Sequence, residues 1–67
     1  GTAPTVLNAA AEAAVHAFLK EDISFPRIAE TIEAALSAFA REDVTSFEQL
    51  KEADARARSF ARNFIYD

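Results

Sequence analysis

Apolar positions recur along this chain every three or four residues, and nowhere do they alternate with polar ones as a half-buried strand requires. Val6, Leu7, Ala10, Ala14, Phe18 and Leu19 form the first stripe. They predict a helix over 3–20, with Thr2 as its cap and Pro4 in its first turn, where a missing N–H costs nothing. Ala9, Ala10, Ala11, Ala13, Ala14 and Ala17 leave few sides of that helix bulky. Neighbouring helices can therefore approach it closely on more than one face. Glu21 and Asp22 would oppose the macrodipole at a helix C-terminus, so they are placed past the end. Ile23 and Phe25 then dock the linker into the core.

Ser24 is a candidate cap and Pro26 a first-turn residue for a second helix over 25–41. Its stripe is Ile28, Ile32, Ala35, Leu36 and Phe39, with Glu30, Glu33 and Arg41 on the solvated side. A polar connection over 41–45 leads to Ser46, which can cap a third helix over 46–65, with Gln49 completing a capping box. Phe47, Leu50, Ala53, Ala57, Phe60, Ala61 and Phe64 form its stripe. Glu52–Arg56 and Asp54–Arg58 stand at i, i+4 with the acid first; each such pair adds about 0.3 kcal/mol and does not decide the fold. The expected architecture is all-α, a three-helix bundle forming one domain over residues 1–67.

Composition narrows what such a bundle can do. At 67 residues the chain is one small domain. It buries only about 60% of the surface that its unfolded form exposes, so its stability is marginal. Cysteine is absent and His16 is the single histidine, which excludes disulfides, thiolate metal sites and multi-histidine sites. The net charge of −4 argues against nucleic acid or an anionic membrane as partner. The whole of that charge falls within residues 21–43. No apolar run approaches the roughly 18 residues of a transmembrane helix.

Candidate chemistry is sparse. Glu12 and His16 share a helix face at i, i+4, but a metal site needs three or four ligands. A di-iron bundle would want Glu three residues before the histidine, where Ala13 stands. Arg56, Arg58 and Arg62 put three guanidiniums on the third helix, which could hold a phosphate or carboxylate. The simpler reading is charge favourably placed towards a helix C-terminus. Ser24, Ser37, Ser46 and Ser59 have no histidine nearby in sequence to act as base. Gly1 is the lone glycine, so there is no glycine-rich phosphate loop. The sequence predicts no catalytic, cofactor-binding or metal-ligating residue in this chain.

Three stretches nevertheless carry a resemblance. Pro4-Thr5-Val6-Leu7-Asn8-Ala9-Ala10, followed by Glu12 and then Ala17-Phe18-Leu19, resembles the P-x-x-L-N-A-A-N-E-x-x-V-x-A-F-L stretch near the C-terminus of 1-deoxy-D-xylulose 5-phosphate reductoisomerases. Ile23-x-Phe25-x-x-Ile28 resembles that family's linker into the next helix, and Ala53-Asp54-Ala55-x-Ala57-Arg58 its A-D-A-x-A-R run. The three occur in the family's order and cover most of the chain. Ala11 departs from the pattern, standing where the family has asparagine, so no contact of that side chain carries over.

The resemblance implies a C-terminal helical domain without catalytic residues that buttresses the catalytic domain of the same polypeptide. It implies that these are the last three helices of a four-helix domain. A missing upstream helix would then leave an apolar patch, and the isolated chain could self-associate through it. The parent enzyme, by the same resemblance, uses NADPH and a divalent cation (Mg or Mn) to convert 1-deoxy-D-xylulose 5-phosphate to 2-C-methyl-D-erythritol 4-phosphate for isoprenoid synthesis. It would be cytoplasmic in a bacterium, or of a plastid-type organelle in a eukaryote. The alternative is a free-standing helical module that binds a partner helix.

Overall fold

In a computed structural model, residues 3–40 and 46–67 are described, and they form three α-helices: α1 Ala3–Leu19, α2 Phe25–Ala38 and α3 Phe47–Tyr66. The candidate cap Thr2 and the polar connection 41–45 lie outside the described residues. The chain runs up, down and up. α1 and α3 are parallel, as the paired positions Glu12–Arg58 and Asp22–Tyr66 show, and α1 packs extensively on both other helices. The long axis of 36 Å follows from α3, whose 20 residues at about 1.5 Å each set the length of the bundle.

The interior is built from small side chains. Ala9, Ala10 and Ala14 of α1, Ala35 of α2 and Ala57 and Ala61 of α3 are fully inaccessible, and the largest fully buried side chains are Val6 and Thr31. With so little between the backbones, the helices approach closely, and shape rather than bulk fixes their spacing. Larger groups close the seams from the side. Ile32, Leu36 and Phe60 pack against the alanine core, and Phe39 meets Phe60 edge-on at 5.9 Å between ring centroids.

The stripe on α2 is buried or half-buried throughout, but those on α1 and α3 need correction. Leu7 and Leu19 face outward, 43% and 72% exposed, because α1 turns the sector of Val6, Ala9, Ala10, Ala13, Ala14 and Ala17 to its neighbours. Phe47 is also exposed, in the first turn of α3 with the Lys51 ammonium 5.8 Å from its ring. Phe25 does not enter the core either. It stays largely exposed and meets Phe18 edge-on at 5.8 Å, whereas Ile23 is half-buried.

The helix ends show how a chain with a single, terminal glycine makes its turns. α1 closes in a Schellman arrangement, with Glu21 N–H donating to Phe18 C=O and Asp22 N–H to Ala17 C=O, both at 2.9 Å. The residue forced into the left-handed region is Glu21, at φ 64°, where glycine would be the ordinary choice. Ser24 occupies the N-cap position of α2 without a side-chain cap bond, and Pro26 fits the first turn. α2 ends at Ala38, short of the expected Arg41, which lies outside the described residues. Ser46 caps α3, its hydroxyl accepting from Gln49 N–H at 3.1 Å.

Candidate functional site

Glu12 and His16 lie on the exposed side of α1, one turn apart. Glu12 turns to α3, where its carboxylate meets Arg58 at 3.5 Å. Among the described residues no three histidine, cysteine or acidic side chains come together as a metal cluster. The three arginines of α3 do not converge. Arg56 stacks over Phe39, 5.2 Å from the ring centroid, while Arg58 reaches Asp54 at 3.4 Å as well as Glu12. Arg62, exposed one turn beyond Arg58, has no ion-pair or hydrogen-bond partner among the described residues. The four serines are exposed.

What the helices assemble instead is a trough along the α1–α3 seam, of about 740 Å³. Its α1 wall is Ala11, Val15 and Leu19, each one turn above the last, beside the row of Glu12, His16 and Lys20. Its α3 wall is Arg58, Arg62 and Tyr66, again one turn apart. Parallel helices with side chains repeating every fourth residue make two straight ridges, and a groove necessarily runs between them. The apolar part is open: Val15 is 41% exposed and Leu19 more so.

The end of the trough is tied shut by contacts between the α1–α2 turn and the last turn of α3. Tyr66 donates its phenolic O–H to the Asp22 carboxylate at 2.7 Å, and the Lys20 ammonium lies 3.6 Å from that carboxylate and over the Tyr66 ring. The tyrosine hydrogen bond, with Lys20 adding to it, lowers the Asp22 carboxyl below its ordinary value. The same bond raises the Tyr66 phenol. Nearby, Arg27 reaches from α2 to the Phe64 carbonyl at 3.2 Å, with its guanidinium 4.2 Å from the Phe64 ring centroid.

Sequence reasoning missed these ties, because Asp22–Tyr66 and Arg27–Phe64 join positions far apart in the chain. It also passed over Thr31, fully buried in α2, whose hydroxyl donates to Arg27 C=O at 2.8 Å and so needs no partner from another helix. Thr31 lies four residues before Ala35, a spacing that could have marked it as inward-facing.

Comparison with known proteins gives a consistent result. Residues 1–60 match the family described as the DXP reductoisomerase C-terminal domain. The chain is 45% identical over 65 residues to the 1-deoxy-D-xylulose 5-phosphate reductoisomerase of Ruminiclostridium cellulolyticum, covering 97% of this chain and 17% of that protein. The enzyme of the same name from Leptospira interrogans is 46% identical over 63 residues, 94% of this chain and 16% of the relative. That of Stutzerimonas stutzeri is 44% identical over 66 residues, 98% and 17%. The chain thus spans about a sixth of the length of these curated relatives. No solved structure gives a significant match.

Proposed function

The chain belongs to the DXP reductoisomerase C-terminal domain family, and from that premise we propose that its 67 residues are one structural domain of such an enzyme, packing behind the catalytic part and contributing no catalytic residue. The observation that carries this reading is the outward face of α1. Val15 and Leu19 are exposed there one turn apart, with Leu7 exposed at the edge of that face, while the opposite face is sealed by alanine and Val6. Large apolar groups aligned on one side of a helix mark a surface that is covered in the working protein. The remainder of the polypeptide is the cover that this reading supplies.

On this reading the whole enzyme is an NADPH-dependent reductoisomerase of isoprenoid synthesis, acting in the bacterial cytoplasm with Mg or Mn. The described residues do not fit those cofactors. Glu12 is engaged with Arg58, no acidic cluster stands by to hold a cation, and the lone glycine is Gly1. On this reading cofactor and metal chemistry belong to other parts of the parent, and no step is assigned to this chain. In isolation the open face invites a second copy, so association rising with concentration is expected of the 67 residues alone. The free-standing interaction module has no observation of its own in its favour.

The test is a graft. This chain replaces the corresponding C-terminal segment of the Ruminiclostridium cellulolyticum enzyme, and thermal unfolding and turnover are compared with the parent and with a version lacking the segment. The graft should restore both properties that the deletion loses. If the deletion leaves both unchanged, or if the isolated chain binds NADPH by calorimetry, the structural reading fails.

A further inference from the structure

We draw no further inference here: the strongest candidate, the exposed apolar surface of Leu19, Phe25 and Tyr66 where the α1–α2 turn meets the last turn of α3, carries nothing, because nothing in the structure shows what covers it.

Discussion

The two long faces of α1 invert the usual distribution of size. Inward it presents Ala9, Ala10, Ala13, Ala14 and Ala17, with Val6 the bulkiest buried group. Outward it presents Leu7, Val15 and Leu19. A helix that folded only for its own three-helix bundle would place its leucines inside, where each contributes about 1.5–3 kcal/mol on full burial. The difference teaches that the inner face is specified by how near two backbones must come, and the outer face by a contact that three helices do not supply. The two faces should consequently answer mutation in opposite ways.

The largest effect is expected at the inner face. Ala57→Leu, placed where α3 meets α1, should destabilise by about 1–3 kcal/mol through overpacking, read as a lower urea midpoint. A tolerated leucine would mean that the seam is loose and the contrast false. Next comes the turn that carries α1 into α2. Glu21 sits at φ 64°, so Glu21→Gly should stabilise the fold by about 1 kcal/mol, once glycine's larger unfolded entropy is set against the relieved left-handed strain.

The outer face should be nearly silent in stability. Leu19→Gln should change the unfolding free energy by less than about 0.5 kcal/mol, while reducing concentration-dependent association in sedimentation. A large loss of stability would show that Leu19 already has its partner within the bundle.

The smallest effect concerns the tie at the end of the trough. The folded state lowers the Asp22 carboxyl from its ordinary 3.8, so this contribution is complete above that value and fades as pH falls through the lower folded one. Tyr66 is raised from 10.0, so its contribution is present below that value and is lost as pH climbs through the higher folded one. Tyr66→Phe should move the Asp22 titration upward in a carboxyl-detected NMR experiment and leave thermal unfolding at neutral pH almost unchanged.

Helix positions were legible because they depend on neighbours in sequence. The i, i+4 apolar spacing located all three helices, Ser46 marked the start of α3, and Glu21-Asp22 marked the end of α1. Facing was less legible. In an alanine-rich helix every side is mildly apolar, so periodicity cannot tell the buried sector from the exposed one, and Leu7 and Leu19 were assigned inward. Phe25 and Phe47 failed for a related reason. An aromatic at a helix start can rest on Phe18 or beside Lys51 and need not enter the core. The trough was invisible because its two walls come from residues 38 or more positions apart.

Arg27 leads to a consequence of another kind. The C-terminal turn of a last helix is ordinarily the first part of a domain to fray. Here the Phe64 carbonyl is held from 37 positions away, and Tyr66 is held by Asp22. The beginning of α2, the α1–α2 turn and the end of α3 are therefore expected to open as a unit, not as separate loose ends. In native-state amide exchange the slow protection of Asn63 to Tyr66 should collapse on Arg27→Ala, together with that of the α1–α2 turn. The end of this chain is then part of its cooperative folding unit and not its margin.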